Sequence, residues 1–274
     1  MAYINAKTQQ INAVAKFNAD LHSLMEVLGV SDVTKVAEGG SVITYAEATP
    51  ASVTYTEGAE IPNSNVTPAD GTAHVLTWKP LRSLATYQQI QKKGFDVAVG
   101  GSADKLRKMI GAEFRTALCT AVKGGTGTAT AGATVQQAAA NATAKLMEVT
   151  ADEAGTPVLL LSPMTWAAYA GAANISTQTA FGLSYVKGFL GVELAIILPG
   201  LDDNKVYATA AENINFVCAD VANISEEMQS DESGVFGIII KDEPAKNGYD
   251  IVVSGGMAAF LNVAAKCVKV NVGA

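Results

Sequence analysis

Charged residues are scarce in this chain: they make up 16% of its 274 residues, whereas 49% are hydrophobic. Soluble domains carry about 25% charged residues, so this chain has ample material for a core and an unusually bland surface. Its 19 Lys and Arg residues are outnumbered by 26 Asp and Glu residues, which gives a net charge of −7. That balance excludes tight binding to nucleic acid phosphates, because such binding needs clustered basic residues. A surface poor in charge is typical of a surface that is covered in an assembly.

Histidine, cysteine and long apolar runs are also few. His22 and His74 are not accompanied by a nucleophile and an orienting acid, so we predict packing or surface imidazoles rather than general bases. The cysteines, Cys119, Cys218 and Cys267, form no C-x-x-C pair and are flanked by apolar residues, which predicts buried, reduced thiols. No apolar run reaches the ~18 residues of a membrane span, and the first residues have no signal-peptide pattern. We therefore expect a soluble protein, synthesised in the cytoplasm, with no membrane partner.

Three motifs fall short of a catalytic, phosphate or metal site. Ser102 and Lys105 fit S-x-x-K, but the companion S-D-N and K-T-G motifs are absent, so Ser102 is predicted to cap a helix. The glycines of 124–132 follow a helix and do not fit a phosphate-binding loop, which favours a hinge. The acidic runs at 202–204 and 231–232 lack calcium-loop spacing and are interpreted as solvated turns, with a weak metal site as the alternative. We predict no enzyme activity, no cofactor and no metal site.

Hydrophobic periodicity predicts helices and strands in irregular order, which is typical of an α+β fold. Helices are predicted over 10–28, 102–123, 134–149 and 164–171. Strands are predicted over 156–163, 191–198 and 214–217, and as two antiparallel pairs, 235–241 with 249–253 and 257–263 with 266–272. Helix 102–123 carries several basic residues on its polar side, namely Lys105, Arg107, Lys108, Arg115 and Lys123.

Residues 42–79 are rich in Thr, Val and Ala with prolines between them, which predicts a long two-stranded excursion. A lone two-stranded ribbon is marginally stable, so this arm must lie on its own domain or on a neighbouring subunit. Between Lys35 and Lys79 the chain contains no Lys or Arg. The same segment carries five acids, which are Glu38, Glu47, Glu57, Glu60 and Asp70.

This order of parts resembles the major capsid proteins of tailed bacteriophages, which have the Hong Kong 97 type of fold. The passages that carry the resemblance are Thr-Glu-Gly-Ala-Glu-Ile-Pro (56–62), the helix 102–123, Pro-Val-Leu-Leu-Leu-Ser-Pro-Met-Thr-Trp (157–166) and Gly-Phe-Leu-Gly-Val-Glu-Leu (188–194). The resemblance extends over nearly the whole chain. The implied divisions are an N-terminal arm (1–42), an extended E-loop (43–80), a peripheral domain with a long spine helix (81–127), an axial domain (128–232) and C-terminal peripheral strands (233–274).

The resemblance implies a structural subunit of a virion. Copies would assemble into the pentamers and hexamers of an icosahedral head around double-stranded DNA, with portal, scaffold and decoration proteins as partners and only weak contact with the DNA. The E-loop would reach over the adjacent subunit, and the N-terminal arm would clasp another. The chain begins a few residues before its first predicted helix, so we expect a scaffold, where one is used, to be a separate protein. The E-loop has no lysine before Lys79, so we expect no isopeptide cross-link between subunits.

Charge suggests which residues meet across the subunit contact. We predict that Glu57 and Glu60 pair with Lys105, Arg107, Lys108 or Arg115 of the adjacent subunit. The alternative is that these acids only keep the arm soluble. An encapsulin-like nanocompartment shell is the second interpretation of the whole chain, and a soluble enzyme or binding protein is the third.

Overall fold

The computed structural model of the chain describes residues 2–28, 33–37, 40–44, 57, 71–76, 78–151, 155–171, 177–180, 183–189, 192–222, 224–230 and 234–273. The α-helices in these residues are α1 (Ala2–Leu28), α2 (Tyr87–Lys93), α3 (Gly101–Lys123), α4 (Val135–Val149) and α5 (Pro163–Ala170). The strands of the first half are β1 (Thr34–Val36), β2 (Ser41–Thr44), β3 (Thr72–Val75), β4 (Leu81–Thr86), β5 (Gly127–Thr128), β6 (Pro157–Leu161), β7 (Gln178–Ala180) and β8 (Leu183–Phe189). Those of the second half are β9 (Val192–Ile197), β10 (Lys205–Ala210), β11 (Ile214–Ala219), β12 (Gln229–Ser230), β13 (Phe236–Glu243), β14 (Gly248–Gly255), β15 (Met257–Leu261) and β16 (Cys267–Asn271).

The strands of the described residues form four sheets. A seven-stranded mixed sheet has the order β5-β16-β10-β6-β9-β8-β7, and a four-stranded antiparallel sheet has the order β12-β13-β14-β4. A three-stranded sheet has the order β1-β11-β15, and β2 pairs with β3 as a separate ribbon. Helices and strands do not alternate regularly, so the predicted α+β class is confirmed.

The long helix α3 lies at the centre of the main core. Leu106, Ile110, Phe114, Leu118 and Val122 recur at helical spacing and are buried. A single turn of π-helix, Asp96–Gly100, precedes α3, and the helical backbone continues from one into the other. The prediction that Ser102 caps this helix was therefore wrong: its hydroxyl donates to the carbonyl of Ala98, 2.7 Å away, inside the continuing helix.

The N-terminal helix α1 belongs to the same core. Its residues Phe17, Leu21, Leu24 and Leu28 are buried, and the ring of Phe17 stacks on that of Phe236 with centroids 4.4 Å apart. The helix starts at Ala2, eight residues earlier than predicted. Its apolar face is buried against its own chain, and the expectation that this segment also clasps another subunit stays a prediction.

A second core lies between the seven-stranded sheet and the helices α4 and α5. The small residues Ala138, Ala139 and Ala142 let α4 lie close to the sheet, and they are fully covered. Both helices begin within one residue of the predicted positions. The Thr134 hydroxyl accepts from the Gln137 amide, and the Ser162 hydroxyl accepts from the Thr165 amide.

The end of the chain departs from the prediction. The turn at 244–248 joins β13 and β14 as expected, but the next two strands do not pair with each other. Instead β15 pairs with β11, and β16 pairs with β10 and β5. The side-chain amide of Asn213 bonds both the carbonyl and the N–H of Val263, which holds the chain where it turns from one sheet to the next. Residues expected among the peripheral strands, 267–271, thus lie in the same sheet as β6, β9 and β10.

Candidate functional site

One strip of α3 faces solvent along the whole helix. It lies opposite the buried residues of α3, because positions three and four apart share a face. The exposed members are Gly101, Lys105, Lys108, Met109, Ala112, Glu113, Thr116, Thr120 and Lys123. The beginning of the strip is basic, and its middle carries Met109, Ala112, Glu113 and Thr116. The basic beginning suits contact with an acidic segment.

The four basic residues predicted at the contact separate into two groups. Lys105 is exposed, and Lys108, whose side chain is 65% exposed, forms an ion pair of 2.7 Å with Asp104. Arg107 is buried, and its guanidinium donates to Asp104 (3.0 Å) and to Asp20 of α1. Burial lowers the pKa of the partly buried Arg115. Lys105 and Lys108 are therefore the two predicted residues that face outward, while Arg107 fastens α1 to α3.

The acidic arm is described at its base and at Glu57. β2 and β3 pair antiparallel from Ser41↔Val75 to Thr44↔Thr72, which agrees with the predicted two-stranded excursion. Glu57 is exposed, and Glu60 lies outside the described residues. Ile43 and Val75 are 49% and 61% exposed, so the base of the arm also presents apolar side chains to solvent.

His74 anchors the base of the arm to the body. Its ring stacks on that of Phe260 in β15, with centroids 4.1 Å apart and an angle of 9° between the rings. Its Nε2 atom lies 2.9 Å from the Thr44 hydroxyl, which is on the opposite strand of the ribbon. Burial lowers the pKa of His74. The predicted packing role for this histidine agrees with these contacts.

A groove of about 300 Å³ runs beside the exposed strip of α3, between this helix and β15. Thr116, Ala117 and Thr120 line one side, and residues 255–259 line the other. At one end, Lys79 at the foot of the arm forms an ion pair of 3.4 Å with Glu113. The foot of the arm and the spine helix are thus joined within one subunit, beside an open groove.

Sequence reasoning missed a cluster at the other end of α3. Asp202, which we interpreted as part of a solvated turn, accepts bonds from Lys123 (2.9 Å), Lys205 (2.9 Å) and the hydroxyl of Tyr207 (3.0 Å). These partners, Lys205 first, hold the pKa of Asp202 far below its usual range. Lys205 three residues after Asp202 was a signal for part of this cluster, but Lys123 comes from a distant part of the chain.

The three cysteines lie in the core of the subunit. Cys119, Cys218 and Cys267 are buried and unlinked, as predicted, and burial raises the pKa of Cys267 to about 12.

Within the described ranges, no three His, Cys, Asp or Glu side chains are grouped so that they could hold a metal ion. The helices in that part of the chain include none long and apolar enough to cross a membrane.

No protein-family model and no curated protein sequence matches the chain. Solved structures do match it. The capsid of a native GTA particle superposes with a TM-score of 0.56 at 15% identity, over 92% of this chain and 90% of that one. The capsid of the cyanophage P-SCSP1u gives 0.53 at 10% identity (90% and 87%), and the holo-SrpI encapsulin of Synechococcus elongatus PCC 7942 gives 0.53 at 11% identity (87% and 83%). The chain therefore has the α+β capsid fold of the Hong Kong 97 type, as its order of parts predicted.

Proposed function

We propose that this chain, with its Hong Kong 97 type fold, is the major capsid protein of a tailed bacteriophage or a closely similar particle. The observation that carries the proposal is the extent of the likeness, since 92% of this chain corresponds to 90% of a capsid subunit. The protein would then act as a structural subunit rather than an enzyme. Its low content of charged residues suits a subunit whose surfaces are covered by copies of itself.

In this role the subunits form pentamers and hexamers of an icosahedral head, after synthesis in the cytoplasm of a bacterial host. Portal, scaffold and decoration proteins are the other partners that such a head uses. The net charge of −7 suits a container that does not adhere strongly to the DNA packed inside it. The divisions into N-terminal arm, E-loop, peripheral and axial domains are part of the proposal, with β16 assigned to the seven-stranded sheet.

A second candidate function is an encapsulin-like nanocompartment shell. The likeness to the Synechococcus encapsulin, at a TM-score of 0.53, favours it to the same degree as the likeness to the cyanophage capsid. The two functions differ in what the shell encloses and in the genes beside its own. Terminase, portal and tail genes support the phage capsid, whereas a cargo enzyme with a targeting tail supports the nanocompartment.

The test of a shell function is the size of the purified protein in solution. We expect sedimentation to show capsomers or larger particles, and negative-stain microscopy to show closed shells, tubes or rings. A stable monomer at concentrations of tens of micromolar, with no particles after addition of a crowding agent, contradicts both shell functions.

We further propose that the arm of one subunit lies along the exposed strip of α3 in the next, with Glu57 and Glu60 near Lys105 and Lys108. Exposed single pairs are worth only about 0–1 kcal/mol each, so their effect is on register and on the rate of association. Arg107 is not available for such a pair, because Asp20 and Asp104 of its own chain occupy its guanidinium.

A charge exchange tests this contact. Glu57→Lys with Glu60→Lys should slow assembly roughly tenfold or more at low salt, because like charges then face each other. Adding Lys105→Glu and Lys108→Glu should restore most of the rate. Glu148→Lys, which reverses an exposed acid on α4, serves as the control. Light scattering during assembly gives the rate, and an unrescued fourfold variant contradicts the pairing.

A further inference from the structure

Helix α3 is the rod that joins the two large sheets of the subunit. Its first half packs against α1 and carries Arg107, which binds Asp20. Ile110 on the same half lies against Gly255 at the end of β14, in the four-stranded sheet. At its other end the chain passes through Gly124 and Gly125 to β5, which is the edge strand of the seven-stranded sheet. The contacts around the last turn of α3 therefore lie where the rod meets this sheet.

Asp202 lies at this junction, in the turn between β9 and β10. One of its carboxylate oxygens accepts from Lys123, the last residue of α3, at 2.9 Å. The other accepts from Lys205 at 2.9 Å and from the Tyr207 hydroxyl at 3.0 Å. A single side chain thus binds the rod on one side and the sheet on the other.

The sheet side of this contact is rigid. Tyr207 is 1% exposed and lies in β10, which is paired on both sides, with β16 and with β6. The turn also approaches α3 closely: Gly200 has a φ of +97°, and a Cβ atom there would lie 3.3 Å from the Cys119 sulfur. The carboxylate is therefore held by a fixed hydroxyl in a turn that already touches the helix.

Three other ion pairs in the described residues act more locally. Arg82 with Asp250 and Lys241 with Glu227 lie on the four-stranded sheet and the segment beside it. Lys145 with Glu148 lies within α4. The Lys123–Asp202 pair differs from these because its two residues belong to the rod and to the turn of the seven-stranded sheet.

On the basis of the proposed shell function, we propose that Asp202 fixes the angle between α3 and the seven-stranded sheet and thereby the diameter of the shell. A closed shell repeats the same subunit geometry at every contact, so a few degrees in each subunit change the number of copies needed for closure. Asp202 is a positioning residue in this account: it need not touch another subunit.

The test compares three variants with the wild type. Asp202→Asn weakens all three bonds, and Lys123→Met removes the bond to the rod. Lys205→Met removes one of the two bonds on the sheet side and leaves the Tyr207 hydroxyl to hold the carboxylate. Hydrogen exchange is measured on the unassembled subunit, and particle diameters are measured by electron microscopy after assembly.

We expect Asp202→Asn and Lys123→Met to speed exchange about fivefold in the last turn of α3, and to leave the rest of the fold unchanged. Both should lose the single particle diameter of the wild type and give mixed sizes, tubes or open sheets. Lys205→Met should keep the wild-type diameter.

Two results overturn the proposal: unchanged diameters in both Asp202→Asn and Lys123→Met, or an equal change in Lys205→Met. Failure of the wild type to form any particle counts against the proposed function instead. In that event the exchange measurement still tests the contact, and equal exchange in wild type and Lys123→Met overturns it.

Discussion

Arg107 shows how burial separates residues that look alike in the sequence. It lies between the exposed lysines Lys105 and Lys108, but it is only 9% exposed and bridges Asp104 and Asp20. A planar guanidinium can serve two carboxylates at once, which a lysine cannot do as well. Lys105 and Lys108 therefore face outward from α3, whereas Arg107 faces inward.

Replacing Arg107 by Met should destabilise the unassembled subunit by about 2 kcal/mol, because Asp104 and Asp20 then lose their common partner. The cost stays below that of a fully buried pair, since both carboxylates are partly exposed to water. Urea unfolding followed by circular dichroism measures the change. Lys108→Met is the matched control, with a change below about 0.5 kcal/mol; equal effects of the two substitutions would refute the inward role of Arg107.

At the scale of elements, α1 and the arm are attached to the body in different ways. α1 inserts a row of apolar side chains into the main core, centred on Phe17, which is fully buried and packs on Phe236 and Phe114. The arm is attached at its base through Leu76 and through the stack of His74 on Phe260. A cavity of about 500 Å³ lies beneath β2. Helix α1 is therefore part of the main core, whereas the base of the arm contacts the body through Leu76 and His74 and has a cavity beneath β2.

Phe17→Ala should cost about 3–5 kcal/mol in the free energy of unfolding, as expected for a buried aromatic ring removed from a core. The loss should appear first as faster hydrogen exchange along α1. Ile11→Ala, on the same helix at a position 47% exposed, should change stability by less than about 0.5 kcal/mol. Similar costs at the two positions would contradict the packing of α1 on its own chain.

The base of the arm should loosen in mild acid. The folded-state pKa of His74 is lowered from 6.5, so between the two values the unfolded chain binds a proton that the folded chain does not. Stability at this site is therefore lost as the pH falls below about 6.5. Unfolding free energies at pH 7.5 and 5.5 should differ less in His74→Gln than in the wild type. The control, His22→Gln on the exposed side of α1, should keep the wild-type difference.

At the scale of the whole molecule, ion-paired carboxylates determine how the stability of the fold changes at low pH. Hydrogen bonds and charge from basic partners lower the folded-state pKa values of Asp104, Asp202 and Asp250 below 3.8. Groups of this kind stabilise the folded state above the pKa of the unfolded chain, and that stability is lost as the pH falls through the folded values.

Acid unfolding of the subunit should therefore steepen below about pH 4. Asp202→Asn should be less stable at neutral pH and should show a shallower loss between pH 4 and pH 2, because it lacks one carboxylate that must take up a proton. Fluorescence and circular dichroism across this range measure both slopes. Parallel curves for the variant and the wild type would contradict the role assigned to Asp202.

The sequence by itself predicted α1, α3, α4, α5 and the order of parts, but not α2. Periodic apolar residues such as Leu106, Ile110 and Phe114 define α3, because such signals act between residues close in the chain. The missing Lys and Arg between Lys35 and Lys79 identified the acidic arm for the same reason. Only the tertiary structure decided how the strands pair beyond β2 with β3 and β13 with β14, whether Arg107 faces inward, and that Asp202 meets Lys123. Each of these depends on residues far apart in sequence, and alternation along a strand indicates its faces but not its neighbours.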